Sequence, residues 1–297
     1  MRAGERGFLL LTSQLGDPCR KPLTVAQFRT LTKRMADISA PSELDDRLNV
    51  EHILSIGYDR SVAERIVCLL DEEIRLDGYL RLAQKRGCVP ITRVSEGYPQ
   101  ILRNRLGADA PGSLWAKGEL SLLETPMIAL VGSRNLRTDN KKFAYAVGRE
   151  AARQGFTLVS GNARGADKTA QDACLEWGGK VISIVADELE NCPPTEKVLY
   201  LSEDSFDLPF SALRALSRNR IIHALGYKTF VAQCSYGKGG TWDGTVKNLR
   251  HNISPVFCFA DGSAAMAELE QLGANIITTD DILDFSALHG KIESFLD

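Results

Sequence analysis

Apolar positions divide the chain into two regimes. Up to about residue 85 they recur at helical spacing: Val25, Phe28 and Leu31 share one face, and Val62, Ile66, Leu69, Leu70 and Ile74 share another. Ser61 and Glu64 stand at the spacing of a capping box at the start of that second run. Residues 1–85 are therefore expected to form a small helical domain, read as an interaction cap ahead of a helix-hairpin-helix-like DNA module because the segment is not basic. Residues 86–125 change to short extended pieces broken by Tyr98-Pro99 and by Asp109-Ala110-Pro111-Gly112, an extended lead-in. From 126 onward short apolar runs alternate with helical segments. Runs at 127–131, 156–160, 180–185, 229–233, 256–259 and 275–278 predict strands. Segments reaching 154 and 177, passing through 220–225, following the glycine-rich loop 237–244 and covering 263–272 predict helices. The stretch after 185, with Pro193-Pro194 and the acidic Glu203-Asp204, reads as irregular. Residues 126–297 are thus expected to form an α/β domain with a doubly wound, mostly parallel sheet.

In such a sheet right-handed crossovers bring the carboxyl ends of the strands to one rim, and ligands bind there near the point where strand order reverses. Four distant elements fall on that rim. Gly132-Ser133-Arg134 follows the first strand, and Ser160-Gly161-Asn162-Ala163-Arg164-Gly165-Ala166-Asp167-Lys168 follows the second. Ser217-Arg218-Asn219-Arg220 opens a later helix, and Gly237-Lys238-Gly239-Gly240-Thr241 follows the 229–233 strand. Arginine or lysine beside glycine-framed N–H groups and hydroxyls is the chemistry that grips phosphate. Each element also has a structural reading. Gly132 and Gly161 can simply turn strand into helix, and Arg134, Arg164 and Lys238 can be solvated charges. Arg218 and Arg220 can pair with Asp204 or Asp207, and Asp167 can cap a helix instead of acting as an acid.

Composition narrows the partner. Lys and Arg total 36 against 38 Asp and Glu, a net charge of −2, so any polyanion contact is focal and not a basic coat. Seven cysteines without a C-x-x-C pair read as reduced thiols, and no apolar run reaches membrane length, so a cytoplasmic protein is expected. The glycine turns lack a full G-x-G-x-x-G and the Gly237 loop lacks the Walker lysine pattern, which disfavours a nicotinamide cofactor. Four histidines, at 52, 223, 251 and 289, lack ligand spacing, so neither metal nor cofactor is expected, and His223 reads as a core residue.

Taken together, Val131-Gly-Ser-Arg134, Ser160–Asp167, Ser217-Arg-Asn-Arg-Ile-Ile222 and Leu272-Gly-Ala274 resemble the DprA/Smf DNA-processing family. Tyr98-Pro99 and Pro111-Gly-Ser-Leu-Trp-Ala-Lys-Gly118 resemble that family's lead into its Rossmann-like domain. The resemblance implies a non-catalytic single-stranded DNA binder that protects incoming DNA in natural transformation, loads the RecA recombinase and forms a homodimer. It also implies that Arg134, the Ser160–Asp167 turn, Arg218 and Arg220 line a basic pocket. The chain departs from the family pattern at Ala166, at Gln171 in place of a histidine, and at Gln233-Cys234 in place of a glutamate. It is expected to lack the winged-helix extension that some members carry. The Gly237 and Ser160 loops also resemble those of LOG-type nucleotide phosphoribohydrolases, which would need Asp243 or Asp167 as the acid, and a nucleotide-sensing module is a further alternative.

Overall fold

Helices form where the 3.6-residue pattern runs. In order they are α1 (Ala3–Thr12), α2 (Val25–Ala36), α3 (Val50–Ser55), α4 (Arg60–Leu70) and α5 (Glu73–Lys85), followed by strand β1 (Val89–Thr92). The computed structural model describes residues 1–36, 48–193, 195–203 and 205–290. It divides into two units, Met1–Tyr98 with Gly112–Leu114 and Pro99–Pro111 with Trp115–Asp297, so the 86–125 stretch is shared between them. In the first unit Leu11, Leu31, Ile53, Ala63, Ile66 and Leu69 form one apolar cluster. Two local expectations change there. The cap of α4 is Asp59, whose carboxylate accepts the Val62 N–H at 2.9 Å, so Ser61 already lies in the first turn. The chain also breaks at Asp71, which puts Ile74 in α5, where it is 87% exposed and not on the α4 face.

The second unit contains α6 (Gln100–Leu106), most of β2 (Ser113–Lys117), and then strands and helices in alternation. These are β3 (Met127–Val131), α7 (Thr138–Arg153), β4 (Thr157–Ser160), α8 (Ala166–Glu176), β5 (Lys180–Val185) and β6 (Val198–Glu203). After them come α9 (Ala212–Ser217), α10 (Asn219–Leu225), β7 (Thr229–Val231), α11 (Gly240–His251), β8 (Val256–Phe259), α12 (Ala264–Gln271) and β9 (Asn275–Ile277). The strand order is β2-β6-β5-β4-β3-β7-β8-β9, and the pairs from β6 to β9 are parallel. This is the doubly wound arrangement that the alternation predicts, and the Rossmann-like domain that the family resemblance implies. β3 is buried along its whole length, as a strand covered on both faces must be. The strand missing from the sequence reading is β6. Its apolar run Val198–Leu201 is paired and buried beside β5, although polar and proline-rich flanks make it read as loop.

Strand order reverses between β3 and β7, so the loops after these two strands diverge and leave an opening above the sheet. Two helix contacts tighten the frame around it. A Cβ on Gly148 of α7 would lie within 3.0 Å of the Ala170 backbone of α8, so those helices cross at backbone distance. Below α10, the half-buried Arg105 donates to the carbonyls of Ala224 at 3.2 Å and Gly226 at 2.5 Å, closing the helix end. Burial pulls its guanidinium down to about 10. Arg105→Met should cost about 2 kcal/mol, the scale of losing charged hydrogen bonds, read as a lower urea midpoint at unchanged m-value. Among the described residues no helix is long and apolar enough to cross a membrane.

Candidate nucleic-acid interface

The loop after β3 is built by close approach. A Cβ on Gly132 would fall on the Ala166 methyl, so glycine there lets α8 start directly against the strand end. The Ala166 N–H donates to the Ser133 carbonyl at 3.1 Å, tying the two strand-to-helix corners together. From the other side, Ser133 N–H donates to the Gln233 carbonyl at 2.8 Å, and the Gln233 side chain bridges the loop through Arg137 N–H at 2.9 Å and Asn135 O at 3.1 Å. Gln233 thus staples the β3 loop to the β7 loop.

Above this switch point lies a hollow of about 380 Å³. Gly132, Ser133 and Arg134 form one wall, and Ala163 with Asp167 comes from the β4 corner. Arg218 and Asn219 descend from the α9–α10 junction, and Lys238, Gly239, Gly240 and Thr241 close the remaining side. Gly239, at φ 90° and ψ 161°, caps α11, so the first N–H groups of that helix have no partner within it. Asn219 Nδ2 donates to the Gly240 carbonyl at 2.9 Å and fixes the loop against α10.

Charge inside the hollow is unbalanced. Arg134, Arg218 and Lys238 line it together with one carboxylate, Asp167. Arg218 is 7% exposed, its Nη2 is 3.8 Å from Asp167 Oδ2, and its Nε and Nη1 have no hydrogen-bond partner among the described residues. Burial lowers the Arg218 guanidinium pKa; Asp167 opposes that, and the neighbouring positive charge of Arg134 adds to it. Burial likewise raises the Asp167 carboxyl above its usual range, against the pull of Arg218 and of the Ala163 and Gly161 N–H groups. Two guanidinium groups crowd one shared carboxylate, and donors remain unsatisfied. An anion entering here gains both charge and hydrogen bonds.

Not every residue singled out in the sequence reaches this hollow. Ser160 is buried beneath it and accepts from Gln171 Nε2 at 2.7 Å, so Gln171 serves a core network that also reaches Ser183. Gly165 shapes the corner without lining it, and Lys168 pairs along α8 with Asp172 at 2.6 Å. Arg220 turns away. Its guanidinium grips both oxygens of Glu203 and donates to the Asp109 carbonyl at 3.0 Å. Glu203, at the end of β6, is therefore its partner, while Asp207 is engaged by Ser205 and Asp204 lies outside the described residues. Gly161 and Arg164 border a second, adjacent hollow, and a Cβ on Gly161 would fall on the Arg218 guanidinium.

Of the two candidate acids for a hydrolase, Asp167 is held by the Ala163 N–H at 3.2 Å, and Asp243 sits exposed in the first turn of α11 without lining the hollow. In the first unit, Asp59 occupies the helix start that a helix-hairpin-helix would offer to phosphate. Arg34 there donates to the Gly57 carbonyl at 2.8 Å and lies over the Tyr58 ring.

Comparisons with known proteins bear on the family and the fold. The family model for DNA recombination-mediator protein A matches residues 90–286. Protein Smf of Escherichia coli is 31% identical over 157 residues, covering 49% of this chain and 41% of that protein. DNA processing protein DprA of Streptococcus pneumoniae is 31% identical over 185 residues, covering 58% of this chain and 65% of that protein. The matched region thus spans 41% to 65% of these relatives' own length. The X-ray structure of the Streptococcus pneumoniae protein superposes with a TM-score of 0.65 at 24% identity, covering 90% of this chain and 99% of that one. The structure describing the single-stranded DNA binding mode of DNA processing protein A from Helicobacter pylori gives 0.55 at 24% identity, covering 66% of this chain and 94% of that one. Both likenesses are likenesses of fold.

Proposed function

The chain belongs to the DNA recombination-mediator protein A family, and from that premise we propose that it binds single-stranded DNA at the β3/β7 switch point. One observation carries the reading: Arg134, Arg218 and Lys238, from three separate elements, converge on one hollow that holds a single carboxylate among the described residues. In this reading Arg134 and Lys238, both exposed, meet the phosphates first, and the N-terminal N–H groups of α11 add backbone donors. Arg218 sits deeper and sets the local potential. Asp167 holds Arg218 in place and acts on no bond, so binding needs no chemistry on the strand.

The same premise extends the proposal to a RecA-type recombinase delivered to the bound strand, to a second copy of the chain, and to a cytoplasmic site of action. The test is fluorescence anisotropy with a labelled single strand. Arg134→Ala and Lys238→Ala should each weaken binding about tenfold, and each should flatten the dependence of log K on log salt by about 0.7. Wild-type affinity in the double variant would sink the reading.

A further inference from the structure

Beside the first hollow lies a second of about 360 Å³, and the two share Arg134, Ala163, Ala215 and Arg218. The second is lined besides by Asn162, Arg164, Asp187 and Phe210, so a further cation, a carboxylate and an aromatic ring face the cationic shared wall. Phe210 is 54% exposed, a large apolar ring left in water. The backbone that carries it is nevertheless anchored. Arg214 Nη1 donates to the Pro209 carbonyl at 2.9 Å and the Ala186 carbonyl at 3.0 Å, and its Nη2 donates to Ser202 Oγ at 2.7 Å. One guanidinium thus anchors the residue before Phe210 and the residue before Asp187, so the backbones that carry the ring and the carboxylate are fixed by the same group. A surface built this way binds without first ordering its loops. Arg218, with two unpartnered nitrogens, supplies the charge between the hollows.

We infer that the second hollow is a base subsite, in which a base stacks on Phe210 with its hydrogen-bonding edge toward Asp187, while the phosphate linking it to the preceding nucleotide lies at the Arg134 and Arg218 wall. This rests on the single-strand reading above and adds to it a preference among bases. A carboxylate only accepts hydrogen bonds. Cytosine and adenine present an amino group to it, whereas thymine presents carbonyl oxygens on either side of one N–H. The subsite therefore favours cytosine over thymine, and its aromatic floor contributes to every base alike.

The test compares labelled oligo-dC with oligo-dT on the full chain. Wild type should hold oligo-dC about fivefold more tightly, and Asp187→Asn, whose amide can donate as well as accept, should abolish the difference. Phe210→Ala should weaken both about tenfold, and Phe210→Tyr should restore them. Because both side chains are exposed, the variants keep the fold, which a matching urea midpoint verifies. A preference unchanged in Asp187→Asn, or wild-type binding by Phe210→Ala alongside a weakened Arg134→Ala, overturns the subsite and leaves the strand reading standing. Failure of wild type to bind either oligonucleotide overturns both.

Discussion

Gly165→Ala lowers stability by about 3 kcal/mol and disrupts the mouth of the hollow. Gly165 has φ 92° and ψ −123°, a region that glycine enters freely and alanine enters at a cost of about 1–3 kcal/mol. Space adds to strain. The new methyl would fall on the Ser133 carbonyl oxygen and lie 2.5 Å from that of Arg134, both in the loop after β3. A side-chain end can swing aside, but these carbonyls cannot, because Ser133 O already accepts the Ala166 N–H and Ser133 N–H is bound to Gln233. Relief has to open the corner where the two strand-to-helix turns meet, and Arg134 moves with it. Gly262→Ala supplies the comparison, since Gly262 has φ 69° with nothing within 4 Å of its added Cβ. Its loss should stay near 1 kcal/mol. Urea melts of the two variants decide the matter, and equal losses would remove the steric half of the argument.

Below pH 6.5 the stability should fall by about 3 kcal/mol on reaching pH 4 because of His223 alone. This ring is buried in α10, and burial takes its pKa from 6.5 to about 4. Asn248 Nδ2 lies 3.0 Å from Nδ1, and the Asn248 amide is oriented by accepting the Ser254 N–H at 2.8 Å. Its NH₂ therefore faces Nδ1, which must accept, and a proton placed there would meet a donor. Among the described residues Nε2 has no partner that could stabilise a cation. The unfolded chain takes up the proton near pH 6.5, whereas the folded chain resists it until about pH 4. Stability is thus unaffected above the higher value and is lost as pH falls through the window. His223→Leu should start lower, since it leaves one of the two Asn248 amide hydrogens unpaired while the other goes to Ser254 Oγ at 3.0 Å, yet it should show a flatter acid limb by about that amount. Parallel slopes for wild type and variant between pH 6.5 and 4 would contradict the assignment. His223 stands one turn after Asn219, so acid loosening of α10 should also release the Asn219 grip on the Gly240 loop.

How much of this is legible in the residues differs from element to element. β3, β4, β5 and β8 are apolar runs ending at glycine or polar corners, and such runs declare buried strands by themselves. β6 is as apolar over Val198–Leu201, yet its proline and acidic flanks hide it, and only its pairing with β5 makes it a strand. The same holds for the candidate site. Arg134 and Arg218 are recognisable as cations at strand or helix corners, and both line the hollow. Arg220 has the same local signature but ends on Glu203, because the end of β6 lies beside it. Phe210 and Asp187 carry no periodic or motif signal, since a single guanidinium, Arg214, places the loops that hold them.

The chain by itself therefore determined the alternation of strands and helices, the glycine corners, and the presence of cations at three of them and at one helix entrance, all of which depend on neighbours within a few residues. Tertiary structure alone decided which cations face open space and which face a carboxylate. Charge is read from one residue, but its balance is set by whatever the sheet order brings within a few ångströms, and those partners are far away along the chain.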